Sequence, residues 1–208
     1  MCVIAGYIGN EPAAPVLLKM LKREEGLAGG FYAGIATIHE GRLYYEKVIG
    51  DVETLIRETQ AMQLPGTIGV AHGRPPGIAN REHGHPFLSQ DENMAYIVNG
   101  RDGQYEDIAA EESIGSELLR SGYRFRSATK PVPGKETPLL EDGTVVHGSE
   151  IKCHEISMAY GRLQDTPNRL RDAMMQVFQK HPSEIVGLCL HAHHADEIAA
   201  ARHNLPLE

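Results

Sequence analysis

At 208 residues the chain has the length of one large domain, and a hydrophobic content of 41% excludes a disordered polymer. A formal net charge of -8 removes the basic surface that nucleic-acid binding requires. No apolar run approaches the roughly 20 residues of a membrane span, the first residues lack the basic and apolar regions of a secretory signal, and the odd cysteine count (Cys2, Cys153, Cys189) argues for a reducing, cytoplasmic setting.

Taken in order, Val3–Ile8 is short, apolar and closed by Gly9, which predicts a buried strand. Asn10-Glu11-Pro12 punctuates a turn, and Val16, Leu17, Leu18, Met20 and Leu21 have helical spacing on a segment ending at Gly26. Phe31–His39 and Leu43–Ile49 predict a hairpin about Glu40-Gly41-Arg42. Asp51 is the expected N-cap of a helix over Val52–Gln63, with Leu55, Ile56 and Met62 inward; Pro65-Gly66 stops it before a strand at Thr67–Ala71. His72–Pro86 reads as a loop, and Met94–Val98 as a strand running into Asn99-Gly100.

Helical spacing returns at Tyr105–Ala110 and Ile114–Leu119 and ends at Gly122. Ser127–Gly148 is the least regular part, with a hairpin expected over Leu139–Val146 about Asp142-Gly143. Helices over Glu150–Arg162 and Thr166–Lys180, a strand at Ile185–His191 and a helix at Asp196–Arg202 complete the reading. Hairpins early and helices between and after them imply an α+β fold with antiparallel sheets. With no internal repeat and no long linker, one domain over 1–208 is expected. No glycine-rich phosphate loop is present, and no cofactor is expected.

Three stretches at predicted strand ends carry chemistry. Cys2 follows the initiator methionine; with Met1 removed it holds a thiol and a free α-amine whose ordinary pKa is near 8, so nucleophile and base come from one residue. The alternative is a small buried hydrophobe opening a core strand. Gly69–Arg74 puts a guanidinium at a loop mouth, where its fork suits a carboxylate; otherwise Arg74 is a solvated loop residue. Asn99-Gly100 supplies a side-chain amide and an accessible backbone N–H, the donors of an oxyanion hole, or else a hairpin turn. The eleven histidines offer a competing account, in which His83-Gly84-His85 and His191-Ala192-His193-His194 each give two ligands to a metal. HExxH and CxxC spacings are both missing.

In order and spacing these elements resemble the glutaminase domain of class II glutamine amidotransferases, the N-terminal nucleophile group. That family opens Met-Cys-Gly-Ile-x-Gly, and this chain opens Met1-Cys2-Val3-Ile4-Ala5-Gly6. The family's Gly-x-x-His-x-Arg is matched by Gly69–Arg74, its downstream His-Pro by His85-Pro86, and its Asn-Gly by Asn99-Gly100 with Tyr105 at the aromatic position beyond. Gly122-Tyr123-x-Phe125-x-Ser127 and Ala200-Ala201-Arg202 also match, so the resemblance spans nearly the whole chain.

The resemblance implies a four-layer αββα sandwich of antiparallel sheets. It also implies hydrolysis of the glutamine side-chain amide by Cys2 through a thioester, with Asn99 and Gly100 at the oxyanion and Arg74 and His72 at the substrate. Ammonia would pass to an acceptor on another domain or on a synthase partner subunit, and a homo-oligomer is compatible with this. The chain departs from the family pattern at three places. Pro75-Pro76 follows Arg74, where the family has Trp or Tyr; Val3 replaces a glycine; and the family's Ser-x-Thr-Asp-Thr-Glu is interrupted. Ser127-Ala128-Thr129 leads instead to Lys130, and with an insertion around 128–147 the motif resumes at Gly148-Ser149-Glu150. The aspartate that holds the substrate amino group is thereby lost, with Glu150 or Asp142 as the candidate replacements. The altered acidic motif and Val3 favour the second reading, a catalytically impaired binding or regulatory module; a histidine-bound metal hydrolase is the third.

Overall fold

The computed structural model describes residues 2–101 and 108–203. Met1 and Tyr105, with the start of the helix expected at Tyr105–Ala110, lie outside the described residues. β1 (Val3–Ile8), β2 (Tyr32–His39), β3 (Arg42–Ile49) and β4 (Ile68–Arg74) pair antiparallel in the order β1-β4-β2-β3. β5 (Phe87–Leu88), β6 (Met94–Arg101), β7 (Glu184–His191) and β8 (Ala199–Arg202) form a second antiparallel sheet in that order.

Strand alternation assigns each face. Ala36, Ile38, Ile68 and Val70 of the first sheet pack against Leu88, Ala95, Ile97, Leu188 and Leu190 of the second, making the central layer of the core. The alternate residues Ala33, Ile35 and Ala71 face outward onto α1 (Ala13–Glu24) and α2 (Val52–Glu58). On the other side Met94, Tyr96, Val98, Ile185 and Cys189 meet α4 (Gly148–Arg162) and α5 (Arg169–Lys180). The result is the expected αββα sandwich. In α1, Ala13, Ala14, Leu17, Leu18 and Leu21 fill the buried face while Lys22 and Arg23 end the helix. Each such leucine contributes about 1.5–3 kcal/mol of burial.

α3 (Ile108–Arg120) lies beside α4, with Leu118 packed on Leu140, Val146 and Ile151. Gly115 permits the contact, because a Cβ there would meet Leu140 Cδ2 at 2.6 Å and Ile151 Cδ1 at 3.1 Å. The two helical stretches expected on either side of Ser113 are therefore one helix within the described residues.

Several expectations are corrected. The helix from Val52 stops at Glu58, because Thr59 Oγ1 donates back to Leu55 O (2.6 Å) and accepts from Ala61 N (3.1 Å), leaving a separate 3-10 turn at Ala61–Gln63. Met62 consequently points outward, 38% exposed. Asn99-Gly100 is no hairpin turn: β6 runs straight through it, opposite Val186 and Ile185. β4 likewise continues through His72 to Arg74. Over Leu139–Val146 the turn forms, with Leu140 N donating to Thr144 O (2.8 Å), but the pairing is limited to the isolated bridge Leu139–Val145. Ala199–Arg202, expected as helix, is strand β8, since pairing with Val186–Cys189 outweighs the helix preference of alanine.

One glycine positions the loop that approaches the site. A Cβ on Gly34 would sit 2.0 Å from His85 O and 3.0 Å from Lys47 Cβ, so β2 has no room for a side chain beneath that loop. We expect Gly34→Ala to cost about 2–3 kcal/mol, read as a lower urea midpoint at unchanged slope. An unaltered midpoint would contradict the packing described.

Candidate active site

Alternation along three strands brings distant residues to one end of the central layer. Ile4 packs into that layer from β1, and Cys2, two residues earlier, shares its face. On β4 the same parity carries Ile68 and Val70 on to His72 and Arg74; on β6 it carries Ala95 and Ile97 on to Asn99. Val3 pairs with Gly73, so Cys2 falls beside Arg74. The two sheets are then tied by a hydrogen bond in which Cys2 N donates to Asn99 Oδ1 at 3.0 Å. That bond fixes the amide's orientation: its oxygen is engaged and its Nδ2–H groups are turned away from Cys2 N. Gly100, next along, is exposed and has φ +125°, a conformation that glycine adopts without strain.

Arg74 is held from several sides. Its Nη1 donates to His83 O (2.6 Å) and to His147 Nε2 (2.8 Å), and its guanidinium lies 5.1 Å from the ring centre of Tyr32. Tyr32 OH in turn donates to Ile78 O, pinning the loop after β4. A Cβ on Gly77 would meet Arg74 Nη2 at 2.7 Å, so glycine lets this loop lie on the guanidinium. The hydrogen-bond partners of Arg74 among the described residues are thus a carbonyl and an imidazole, neither of which neutralises its charge. An anion is the complementary ligand.

Beneath Arg74 lies a stack of neutral histidines. His72 Nε2 donates to Val98 O (2.9 Å), and its ring is 3.9 Å from that of His85. His85 is 4% exposed and also lies 5.6 Å from His147. Burial pushes the pKa of His72 down to about 3, and burial with the neighbouring histidines and Arg74 holds His85 well below the usual range. His147 has a donor at each ring nitrogen, Arg74 Nη1 at Nε2 and Ser149 N at Nδ1 (3.2 Å); the neutral ring offers a single lone pair between them, and protonation would remove it. Burial first, then Arg74, keeps it neutral. Lys47, 3% exposed, closes the floor by donating to Glu82 Oε2 (2.9 Å) and Gly84 O (3.2 Å).

A cavity of about 350 Å³ opens beside these groups, lined by Arg74, His83, Gly100, Glu111, His147 and Gly148. Cys2 is half-buried and does not itself line the cavity; it stands next to two residues that do, Arg74 beside it in the strand register and Gly100 beyond its hydrogen-bond partner Asn99. Burial raises the pKa of the Cys2 thiol, and the Arg74 charge opposes that rise.

Of the residues singled out from the sequence, Cys2, Arg74, Asn99 and Gly100 come together. His72 lies one layer below, engaged with Val98 and His85. Glu150 does not face the cavity, which corrects its assignment to substrate. Only 1% exposed, it accepts from Arg126 N (2.7 Å), Ser127 N (2.9 Å) and Ser127 Oγ, and so fastens that segment to the start of α4. Asp142 caps its own turn through Thr144 N (2.9 Å), exposed and absent from the cavity wall. The metal reading is corrected too. His83 and His85 sit at the Asn99 end of β6, whereas His191 pairs with Met94 at the other end and stacks on Tyr160 at 4.0 Å. Among the described residues no three His, Cys, Asp or Glu side chains converge as metal ligands.

Sequence reading missed His147, Lys47 and Glu111. The first lies in the irregular stretch before α4, the second is a lone charge inside a strand pattern, and nothing in the local sequence marks the third.

No family model matches the chain. It is 35% identical over 131 residues to the glutamine–fructose-6-phosphate aminotransferase (isomerizing) of Pyrococcus horikoshii, covering 62% of this chain and 21% of that protein. The enzyme of the same name from Tropheryma whipplei (strain Twist) is 29% identical over 214 residues, covering 100% of this chain and 30% of the other. The chain therefore spans less than a third of the length of these curated relatives. In fold it superposes on the glutamine phosphoribosylpyrophosphate amidotransferase of B. subtilis complexed with ADP and GMP, at a TM-score of 0.61 and 18% identity, over 92% of this chain and 35% of that one.

The buried histidines set a pH limit. The folded chain holds His72 neutral to about pH 3 and His154, through burial, to about 4, while the unfolded chain protonates both near 6.5. Their contribution is complete above 6.5 and is lost as pH falls, because the unfolded state then binds more protons. We expect each to remove about 1.4 kcal/mol per pH unit below 6.5, seen in urea unfolding at pH 7, 6 and 5. Equal stability at pH 7 and 5 would contradict it.

Proposed function

This chain is a homologue of the class II, N-terminal-nucleophile glutamine amidotransferases, and on that premise we propose that it is a glutaminase domain whose nucleophile is Cys2. The observation that carries the reading is the bond from Cys2 N to Asn99 Oδ1. It joins the residue bearing thiol and amine to the donor pair Asn99-Gly100, with the Arg74 guanidinium alongside.

In the proposed reaction, removal of Met1 makes Cys2 N an α-amine, which takes the proton of the Cys2 thiol. The thiolate attacks the side-chain carbonyl carbon of glutamine, forming a C–S bond. Negative charge gathers on the carbonyl oxygen, where Asn99 Nδ2 and Gly100 N–H donate to it. The α-amine then gives its proton to the leaving nitrogen, the C–N bond breaks and ammonia departs. A γ-glutamyl thioester remains; water adds to it, the C–S bond breaks, and glutamate and the thiol are released. Arg74 binds the substrate α-carboxylate throughout, which its uncompensated charge and pinned fork favour. His72 acts beneath Arg74, as part of the stack that holds the site, and within hydrogen-bond reach of the strand carrying Asn99.

Ammonia passes to an acceptor on another domain or a partner subunit, as the relatives' lengths suggest. No helix among the described residues is long and apolar enough to cross a membrane. A second reading, a module that binds glutamine without hydrolysing it, is favoured by Val3 beside the nucleophile and by Gly148 where the family places its aspartate.

Glutamate release from glutamine by the chain beginning at Cys2 tests the proposal. Cys2→Ala is expected to abolish release; undiminished hydrolysis would refute the nucleophile, and binding without release from the parent chain would favour the second reading. Asn99→Asp keeps an acceptor for Cys2 N but removes the Nδ2 donors, so kcat should fall about 10²–10³-fold with KM little changed. A kcat within threefold of the parent would remove Asn99 from the oxyanion site.

A further inference from the structure

Glutamine carries two charges at the end remote from the amide bond to be cut, an α-carboxylate and an α-ammonium. Arg74 answers only the first. Glu150 is turned away from the cavity into the Arg126 and Ser127 segment, so a carboxylate for the second is to be sought on the cavity wall itself. Two are there, Glu111 and Glu136. Glu136 lies on the exposed loop between Pro133 and Pro138, whereas Glu111 is half-buried in the first turn of α3.

Packing places Glu111 closely. It stands one turn before Gly115 and shares that residue's face, which is pressed on Ile151 of α4. The same contact runs one turn back along α4 to Gly148. A Cβ built on Gly148 would lie 2.8 Å from Glu111 Oε1 and 3.4 Å from Oε2. The carboxylate of Glu111 thus occupies the space that a side chain at 148 would take, and only glycine there leaves room for it. This position is the start of a helix of 15 residues, whose dipole favours a negative charge.

We infer that Glu111 is the specificity-determining residue for the substrate ammonium, so that the cavity recognises an α-amino acid as a zwitterion between Arg74 and Glu111. The inference rests on the glutaminase reading for its ligand. It also accounts for Gly148: the carboxylate that the family carries at this point comes here from α3, a different element, and the glycine is the space that lets it in.

Binding to the Cys2→Ala chain, measured by calorimetry, tests this apart from turnover. The ligands are L-glutamine and 4-carbamoylbutanoate, which is glutamine without its amine. With Glu111 present, glutamine should bind about 10- to 100-fold more tightly, the effect of one hydrogen-bonded charge pair. Glu111→Ala should bring the two ligands within about threefold, and Glu111→Gln should do the same while preserving the side-chain volume, with melting temperatures checking that both fold. Adding Gly148→Asp to Glu111→Ala returns a carboxylate to the same space and should restore the preference. A preference that survives both Glu111 variants, an equal loss for both ligands, or no binding of glutamine would overturn the inference. Preferential binding of glutamine that depends on Glu111, with no glutamate released by the Cys2-bearing chain, would uphold it while refuting hydrolysis.

Discussion

The hydrogen bond between Cys2 N and Asn99 Oδ1 joins the two sheets where chemistry is expected, and the rest of the site depends on it. β1 is an edge strand paired only with β4, and Cys2 lies beyond its first residue. A chain end in that position frays unless it is tied down. Small residues let the sheets come close enough for the tie. A Cβ on Gly6 of β1 would meet Leu188 Cδ1 at 3.1 Å and Ile198 Cδ1 at 3.2 Å, and Ala36 and Ala95 face each other's sheets in the same layer. The apolar layer thus sets the spacing that a single amide spans.

Two cations set the electrostatics around the histidines at this end of the sandwich. Arg74 is held by a carbonyl and a neutral imidazole, and Lys47 is buried behind the 82–86 loop with Glu82 as its counter-ion. The histidines between them stay neutral because burial and the two nearby cations both oppose their protonation. A cluster of imidazoles therefore fills space and supplies hydrogen bonds without adding charge. The uncompensated guanidinium gives the cavity its anion preference, and Glu111 adds one negative charge at a separate point on the wall. A zwitterion matches that pattern better than either a simple anion or a simple cation.

Much of this was legible in the sequence, for identifiable reasons. Strand alternation and turn residues located β1 to β4, β6 and β7 closely, and the parity of Cys2, Arg74 and Asn99 follows once those strands are known. Two kinds of information were missing. Local preference misread Ala199–Arg202, because an alanine run favours helix until an open neighbour such as β7 offers backbone pairing. Position along the chain misread Glu150 and overlooked Glu111. Both are glutamates near the start of α4 in space, but one turns inward to Ser127 and the other reaches the cavity from α3, 37 positions earlier than Gly148. A substituted family position, glycine for aspartate, marked the place of the compensation without naming the residue that supplies it.

The central claim is that the half-buried Cys2 sits at a glutamine pocket while Cys153 and Cys189, both fully buried with burial holding their thiols protonated, do not react. The most direct measurement is treatment of the chain beginning at Cys2 with a diazoketone analogue of glutamine, followed by intact mass and peptide mapping. The account predicts one adduct, formed with loss of dinitrogen, on the Cys2 sulfur and suppressed by added glutamine. An unlabelled Cys2, or an adduct that glutamine does not protect, would contradict it.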